Sequence, residues 1–388
     1  MSTLQELDRA YVAGTYARFP VELVRGTGSL VYDTEGKEYI DLGSGIGVTA
    51  FGFADETWKK AVTEQLGLLQ HTSNLYYTEP CAKLAELLCT RTGLKKVFFA
   101  NSGAEANECA IKVARKYAAE KKGAEYSTII TLKNSFHGRT LTTLAATGQE
   151  HYHELYQPLT PGFVHVEPGN LAALEQAVAT HKVAGILIEC IQGEGGVNVM
   201  DKAFVQGAAA LAAREDIVFM VDEVQTGNGR TGALYAYMHY GITPDVVTTA
   251  KGLGGGLPIG AAMLGERVQN VLGFGDHGST YGGNPVACAG AYSILSRIDG
   301  ALLDAVKEKS AYLFKTFANA KGVKSVSGLG LMIGIETEKP AAEVVKACIA
   351  RGVLCLTAKH KVRLLPALNI PMEQLKKAAE VILAVCAE

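Results

Sequence analysis

Apolar residues between about residues 60 and 285 fall into short runs that alternate with longer amphipathic stretches. The runs are rich in β-branched residues, as buried strands are, whereas residues 105–120 have the spacing of a helix. This alternation indicates a mostly parallel sheet covered by helices. We expect its strands at residues 97–100, 127–132, 162–166, 184–188, 217–221, 245–249 and 261–264.

The two ends of the chain have different patterns. Residues 29–41 predict a hairpin, because Glu35 and Gly36 suit a tight turn between two apolar runs. Beyond residue 285, helical patterns alternate with strand patterns, which include residues 329–335 and 362–365. We therefore expect a large α/β domain and a smaller α+β domain. The predicted parts are an N-terminal segment joining the small domain (1–50), the large domain (51–285) and the C-terminal small domain (286–388).

Composition and charge narrow the class of partner. The net charge is -2, from 37 basic and 39 acidic residues without a long basic block, which argues against binding to nucleic acid. The first residues lack a signal-peptide pattern and no apolar run reaches the roughly 18 residues of a membrane helix, so we expect a cytoplasmic protein without a membrane partner. The eight cysteines have no metal-ligand spacing and suggest reduced core residues, with no metal site.

Two residues at predicted strand ends point to specific chemistry. Asp222 follows the strand pattern 217–221, and Lys251 follows 245–249 and opens a glycine-rich turn. Ligands of open α/β sheets bind at the carboxyl ends of the strands. Pyridoxal phosphate (PLP) requires such a pair: a lysine that holds its aldehyde as a Schiff base, and a carboxylate that keeps its ring nitrogen protonated.

Further candidates have two interpretations each. Ser102 lies between a strand pattern and a helix pattern, where it suits either a phosphate or an ordinary helix cap. Phe136 suits stacking on a flat ring or simple core packing, and Arg139 suits binding of a substrate carboxylate. The hydroxyls of Ser279 and Thr280, in a glycine-rich turn, suit a phosphate oxygen or the turn itself.

Four more residues depend equally on their context. Val224 suits the face of a ring or the core, and Gln225 suits a phenolic oxygen. Glu194 follows a buried strand pattern, where an acid is costly unless it is paired. Arg363 is a lone cation in an apolar strand and therefore requires an anion, either from the protein or from a substrate.

Taken together, these motifs resemble the class III, ω-amino-acid aminotransferases of PLP fold type I. The resemblance runs nearly from end to end and is carried by GTYAR at 14–18, SNLYYTEP at 73–80, NSGAEAN at 101–107, FHGRT at 136–140, DEVQTG at 222–227 and STYGGNP at 279–285. It implies a large PLP-binding domain with a mostly parallel seven-stranded sheet and a smaller α+β domain. It also implies a homodimer with shared active sites.

The resemblance assigns roles to individual residues. Lys251 would hold PLP and carry a proton, and Asp222 would pair with the ring nitrogen. The other implied cofactor contacts are Ser102, Gly103, Ala104, Phe136, Val224 and Gln225, with Thr280 from the neighbouring subunit.

The implied substrate contacts are Tyr16, Arg139, Glu194, Ser279 and Arg363. Arg139 would bind the α-carboxylate of the amino donor and Arg363 that of 2-oxoglutarate, while Glu194 covers one of these charges when the other substrate is bound. In this family His137 and Ile46 suggest an acylated ornithine as donor. We expect transfer of the δ-amino group of N2-acetylornithine to 2-oxoglutarate, as in arginine biosynthesis. The alternative donors are succinylornithine, succinyldiaminopimelate, ornithine and 4-aminobutyrate.

Two other classes of function fit this sequence less well than an enzyme. A nucleotide-binding protein is disfavoured, because the first strand is not followed by GxGxxG and the turn 252–256 is not part of a GxxxxGK[ST] motif. A binding protein without catalysis is disfavoured by the joint presence of Lys251, Asp222, Arg139, Glu194 and Arg363.

Overall fold

A seven-stranded sheet forms the centre of the fold in the computed structural model, which describes residues 3–388. The strands, in chain order, are β1 (Leu23–Thr27), β2 (Leu30–Asp33), β3 (Glu38–Asp41), β4 (Lys96–Ala100), β5 (Thr128–Leu132), β6 (Phe163–Val166), β7 (Val183–Ile188), β8 (Ile191–Gln192), β9 (Asn198–Val199), β10 (Val218–Asp222), β11 (Val246–Thr249), β12 (Gly260–Leu264), β13 (Val323–Leu329), β14 (Met332–Thr337), β15 (Val353–Leu354), β16 (Leu356–Ala358) and β17 (Lys361–Leu364).

Helices cover this sheet and build the C-terminal part of the chain. The α-helices are α1 (Leu4–Tyr11), α2 (Ser44–Gly47), α3 (Glu56–Leu68), α4 (Glu79–Thr92), α5 (Gly103–Lys122), α6 (Leu141–Ala146), α7 (Leu171–Thr180), α8 (Lys202–Arg214), α9 (Pro285–Leu295), α10 (Gly300–Phe317), α11 (Ala341–Ala350) and α12 (Met372–Ala387). Short 3₁₀ turns occur at Glu150–Tyr152, Ala236–Tyr240 and Lys251–Leu253.

The central sheet has the strand order β4-β12-β11-β10-β7-β5-β6. Its pairs from β11 to β6 are parallel, and β12 runs antiparallel to both of its neighbours. Every residue of β7 and β10 is buried, because helices cover both faces of the sheet, and this explains their continuous apolar runs. The sheet contains all seven predicted strands, so the predicted α/β fold class is confirmed.

Helix α5 packs directly on the sheet. Ser102 caps its first turn, and small side chains, including those of Ala106, Ala110 and Ala114, are buried on its inner face. These side chains permit a close approach, since a Cβ atom added to Gly185 of β7 would lie only 3.0 Å from the Cβ atom of Ala114. The close packing places the start of α5 beside the carboxyl ends of the central strands.

Strands from both ends of the chain meet in smaller sheets. The predicted hairpin is present, since β2 and β3 pair antiparallel and Gly36 has a positive φ of 83°. Strand β3 also pairs in parallel with β15, so residues far apart in sequence share one sheet. The domain boundaries at residues 50 and 285 stay predictions.

A third sheet, ordered β13-β14-β17-β16, carries Arg363 on β17. Residues 329–335 are not one strand, as their apolar pattern predicted. Leu329 ends β13 and residues 332–335 belong to β14, while Gly330, with a φ of +59°, reverses the chain between the two strands. A Cβ atom at Gly330 would lie 2.5 Å from the carbonyl oxygen of Arg230, so the turn packs closely against the large sheet's loops.

Within residues 3–388 no single helix has the length and apolar character needed to cross a membrane. Helices α9 and α10 meet these criteria only when taken as a pair, and they are bent by 70° relative to each other.

Candidate active site

A cavity of about 600 Å³ opens at the carboxyl ends of β10 and β11. Most of the predicted site residues line it, although they come from distant parts of the sequence. These residues are Tyr16, Ser102, Gly103, Ala104, Phe136, Arg139, Glu194, Asp222, Val224, Gln225 and Lys251. The parallel pairing of β10 with β11, in which Asp222 lies opposite Thr248, brings the acid and the lysine to the same edge of the sheet.

Asp222 is held firmly at the inner end of this cavity. Its side chain is 4% exposed. Oδ2 accepts a hydrogen bond from Asn107 Nδ2 at 2.7 Å and lies 2.8 Å from His137 Nδ1, while Oδ1 accepts the backbone N–H of Val224 at 3.0 Å. Such a donor set suits a buried carboxylate that keeps a fixed orientation.

Asn107 and His137 also belong to this site, although neither is among the site residues predicted from the sequence. Asn107 also donates to the carbonyl oxygen of His137 at 2.8 Å and accepts the hydroxyl of Thr248 at 2.7 Å. Its signal was an amide on the apolar stripe of α5, three residues before Ala110. The resemblance makes His137 only a marker of a family branch; among the described residues its buried Nε2 has no hydrogen-bond partner.

Lys251 directly follows Ala250 at the end of β11 and opens a short 3₁₀ turn. Its φ of +45° is uncommon for a residue with a side chain and marks a local backbone strain of the kind found at functional sites. Lys251 Nζ donates to Gln225 Oε1 at 2.6 Å. Burial lowers the pKa of Lys251, while the carboxylate of Glu194 opposes that shift. A lowered pKa increases the fraction of neutral, nucleophilic amine.

The start of α5 forms one wall of the cavity. Ser102 Oγ accepts the backbone N–H of Glu105 at 3.2 Å, so the residue caps the helix, and the next backbone N–H groups belong to Gly103 and Ala104. A Cβ atom at Gly103 would lie 2.6 Å from Val224 Cγ1, so only glycine fits there. The free N–H groups and the helix dipole at this end are suited to a phosphate.

Aromatic rings surround Arg139 near the mouth of the cavity. Its guanidinium carbon lies 4.1 Å from the ring centroid of Tyr152 and 5.5 Å from that of Phe136. Arg139 is exposed and forms no ion pair with any residue in 3–388. Its charge is therefore available to an anion that enters the cavity.

Arg363, unlike Arg139, is buried and paired with an acid. Its side chain is 4% exposed, and Nη1 donates to Glu194 Oε1 at 2.8 Å. The Nε atom is buried and has no hydrogen-bond partner within residues 3–388. Glu194 is 32% exposed, so this partner lies on the solvent side of the pair. The structure thus brings Arg363 to the cavity through Glu194.

Besides Arg363, two predicted residues lie outside the lining of the cavity in this chain. Ser279 Oγ accepts hydrogen bonds from Asn101 Nδ2 at 3.2 Å and from the backbone of Gly282 at 2.9 Å, so it stabilises its own turn. Thr280 is exposed. Its contribution to the site of a neighbouring subunit stays a prediction.

The residues of the cavity fit PLP. The partly buried amine of Lys251, the buried carboxylate of Asp222 and the N-terminus of α5 meet the three chemical requirements of its aldehyde, ring nitrogen and phosphate. Val224 and Phe136 supply apolar surface for a flat ring. Among residues 3–388 no group of three or more His, Cys, Asp or Glu side chains could hold a metal ion.

Comparison with known proteins decides the family. The model of the aminotransferase class-III family matches residues 11–386. The chain belongs to this family. The enzyme is 50% identical to the acetylornithine aminotransferase of Haemophilus ducreyi over 387 residues, which cover 99% of this chain and 98% of that protein. It is 45% identical to the acetylornithine aminotransferase of Methanocaldococcus jannaschii, over 95% of this chain and 94% of the relative.

Solved structures give the same fold. The ornithine aminotransferase of Toxoplasma gondii superposes with a TM-score of 0.95 at 31% identity, covering 100% of this chain and 95% of that one. The N-acetylornithine aminotransferase of Stenotrophomonas maltophilia gives a TM-score of 0.86 at 34% identity, over 99% and 98% of the two chains. This enzyme is therefore a PLP-dependent aminotransferase that acts on small molecules.

Proposed function

We propose that this aminotransferase transfers the δ-amino group of N2-acetylornithine to 2-oxoglutarate, giving N-acetylglutamate 5-semialdehyde and glutamate. Support comes from the relatives at 50% and 45% identity, which are acetylornithine aminotransferases. Such a reaction belongs to arginine biosynthesis, and we expect it to occur in the cytoplasm.

The observation that carries the proposal is the contrast between the two arginines of the site. Arg139 is free of any acid in residues 3–388, while Arg363 is paired with Glu194. N2-acetylornithine has one carboxylate, far from the amine that reacts. We assign this carboxylate to Arg139, so that the distal amine points to Lys251 and Arg363 keeps its internal partner.

2-Oxoglutarate requires both cations, because it has two carboxylates. We assign the carboxylate next to its keto group to Arg363, which demands that Glu194 turn away into solvent. The side chain of Glu194 is partly exposed, which leaves room for this movement. One cavity can then accept two substrates that differ in the distance from the reacting carbon to the nearest carboxylate.

PLP, when bound, supplies an aldehyde that combines with amines and a ring that accepts electron density from the substrate carbon. In our assignment Lys251 holds the cofactor and then moves a proton at the carbon that bears the transferred amine. Asp222 keeps a positive charge on the ring nitrogen, and Asn107 and His137 orient that carboxylate. Ser102, Gly103 and Ala104 receive the phosphate, Gln225 the phenolic oxygen, and Phe136 and Val224 the two ring faces.

We also propose a homodimer in which Thr280 and Ser279 face the partner's cavity. Several large apolar side chains are exposed near this turn and in residues 73–80. A cluster of such side chains is typical of a surface that another protein subunit covers. They are Leu75, Tyr76, Tyr77, Phe274 and Tyr281. The dimer is tested by the molar mass of the purified protein in solution.

The donor assay tests the proposed substrate. Purified holoenzyme is assayed with 2-oxoglutarate and, separately, with N2-acetylornithine, succinylornithine, succinyldiaminopimelate, ornithine and 4-aminobutyrate. We expect the highest kcat/KM with N2-acetylornithine. A higher value with any other donor overturns the assigned substrate and leaves the chemistry intact. Lys251→Ala is the matched control, and its turnover with the best donor would refute the assignment of Lys251.

A further inference from the structure

Glu189 is a buried acid in the cavity wall to which the proposed chemistry gives no task. It directly follows β7, is 6% exposed, and lines the cavity. Burial raises the pKa of Glu189 to about 7; His137 opposes this shift and Asp222 adds to it. In residues 3–388 its carboxylate forms no ion pair with Lys or Arg. Burying a carboxyl group without a cation destabilises the folded protein, so the hydrogen bonds that hold Glu189 in place indicate a function.

The two carboxylate oxygens of Glu189 bind two different segments. Oε2 accepts the backbone N–H of Phe136 at 3.0 Å, and Oε1 accepts that of Gly193 at 3.4 Å. Phe136 belongs to segment 133–140, between β5 and α6, and Gly193 belongs to segment 193–197, between β8 and β9. Among the described residues no strand pairing joins β5 directly to β8 or β9. Glu189 therefore joins two segments that the sheets leave unpaired, in addition to the bond that Gln192 Nε2, just before the second segment, donates to the carbonyl oxygen of Lys133 at 2.7 Å.

These segments carry the groups that select substrates. Arg139 lies three residues after Phe136, and Glu194 directly follows Gly193 and bonds Arg363. We propose that Glu189 is a positioning residue that fixes the distance between Arg139 and the Glu194–Arg363 pair. This inference rests on the proposed function, which assigns the two arginines to the carboxylates of the two substrates.

The proposal requires a carboxylate and not merely a polar side chain of the same size. Both partners of Glu189 are N–H donors, so both of its oxygens must accept. An amide has only one acceptor oxygen, and its NH₂ group would face one of the two backbone donors. Glu189→Gln thus keeps the volume and removes one connection. A buried donor left unpaired costs enough to displace its segment.

The chain offers a matched control in Glu223. This second buried carboxyl is 0% exposed and its pKa is also raised to about 7, chiefly by burial. It adjoins Asp222, but its oxygens bind the Thr226 hydroxyl at 2.5 Å and the Tyr237 backbone at 2.7 Å, and within residues 3–388 its carboxylate forms no hydrogen bond with either segment. Glu223→Gln therefore reports the effect of neutralising a buried acid near Asp222 without disconnecting the segments.

The test measures the two half-reactions of the holoenzyme separately, by single-turnover kinetics on the absorbance of the bound cofactor. With Glu189→Gln we expect the concentration for half-maximal rate to rise about tenfold for both N2-acetylornithine and 2-oxoglutarate, with maximal rates changed less than about threefold. Glu223→Gln should change neither. Glu189→Asp, which keeps two acceptor oxygens on a shorter side chain, should give a smaller rise and serves if Glu189→Gln does not fold.

Two outcomes overturn the proposal. If the maximal rates fall while the half-saturating concentrations stay unchanged, Glu189 acts directly in the chemistry. If neither quantity moves, Glu189 positions nothing. Failure of the proposed function has a different signature, because Arg139→Leu and Arg363→Leu would then leave both half-saturating concentrations unchanged whatever Glu189 does.

Discussion

The two ends of the active-site cavity are built in opposite ways. At the inner end, Asp222 is 4% exposed and is surrounded by the side chains of Asn107 and His137 and the backbone of Val224. At the outer end, Arg139 is exposed, and its guanidinium lies beside the rings of Phe136 and Tyr152. The inner end has one charge to stabilise in every reaction, whereas the outer end has to accept two different substrates.

The supporting elements explain this difference. Asp222 terminates a central strand, and Asn107 lies on α5, which packs across the same sheet. Arg139 and Glu194 lie in segments outside the strands, where side chains can change position. Electrostatic stabilisation is most effective when the charged group is fixed before the reaction, and selection between substrates requires movement. The comparison therefore predicts that substitutions at the inner end reduce rate, while those at the outer end reduce affinity.

Asp222→Ala should have the largest effect on rate among the substitutions that leave Lys251 in place. The substrate carbon would lose its protonated ring as an electron acceptor, and we expect kcat to fall at least about 10²–10³-fold, the loss typical of one fixed electrostatic group. The measurement is kcat with the best donor at saturating PLP.

The control for this change is Asp245→Asn. Asp245 lies just before β11, at the opposite end of the sheet from Asp222, and accepts the backbone N–H of Phe219 at 2.9 Å. We expect the Asp245→Asn substitution to lower the stability of the enzyme and to leave kcat unchanged. Near-normal turnover of Asp222→Ala would contradict the assigned role of the inner carboxylate.

At the inner end, the sequence located the residues at strand ends but not the side chains that support them. Strand patterns located both Asp222 and Lys251, since a buried parallel strand has a continuous apolar run and its end is visible where that run stops. Asn107 was missed because its contact with Asp222 spans 115 residues, and no local pattern reports which strand a helix face covers. Likewise, the local pattern of residues 329–335 predicted one strand, whereas Gly330 reverses the chain and divides the segment between β13 and β14.

Pairings between distant segments were beyond the same reasoning. The parallel pairing of β3 with β15 joins Ile40 to Val353, and neither strand contains a signal for its partner. The contact of Glu194 with Arg363 was expected only from resemblance, because an isolated acid and an isolated cation do not identify each other. Composition and periodicity therefore give elements and strand ends, while tertiary packing decides which side chains meet.

Replacing each of the two outer arginines by leucine should affect the binding of the two substrates differently. We expect Arg363→Leu to raise the KM for 2-oxoglutarate about 10–100-fold and to leave the half-reaction with N2-acetylornithine nearly unchanged, because a charge-assisted hydrogen bond contributes about 1.5–3 kcal/mol. Arg139→Leu should weaken binding of the donor as well. Equal effects of both variants on both half-reactions would contradict the division of labour between the two cations.

Glu194→Gln should have a smaller effect on the same equilibrium. The change removes the negative charge that competes with substrate for Arg363 but keeps a hydrogen-bonding side chain of the same size. We expect the KM for 2-oxoglutarate to fall a few-fold, since less free energy is needed to uncover Arg363. An unchanged KM, with donor KM as the internal control, would mean that the ion pair does not oppose binding.

The smallest expected effect is on the free energy of unfolding. It concerns the inner end of the cavity, where Asp222 and Glu223 are adjacent buried acids. Asp222 has donors that suit a charged carboxylate, whereas burial raises the pKa of Glu223 to about 7 in the folded state, above its ordinary 4.5. A raised pKa means that the folded state retains a proton that the unfolded state has lost. The contribution of Glu223 to stability is therefore complete below about pH 4.5 and is lost as the pH rises through about 7.

Glu223→Gln makes this side chain neutral at every pH. Gln Oε1 can still accept the Tyr237 backbone, and the Thr226 hydroxyl can rotate to accept from the new amide. We expect the variant to be more stable than the native enzyme at pH 8.5 by up to about 3 kcal/mol, and close to it at pH 5. Thermal unfolding of both proteins at the two pH values measures the difference. A gap that does not grow with pH would mean that Glu223 is charged in the folded enzyme, and the inner end would then hold two buried charges side by side.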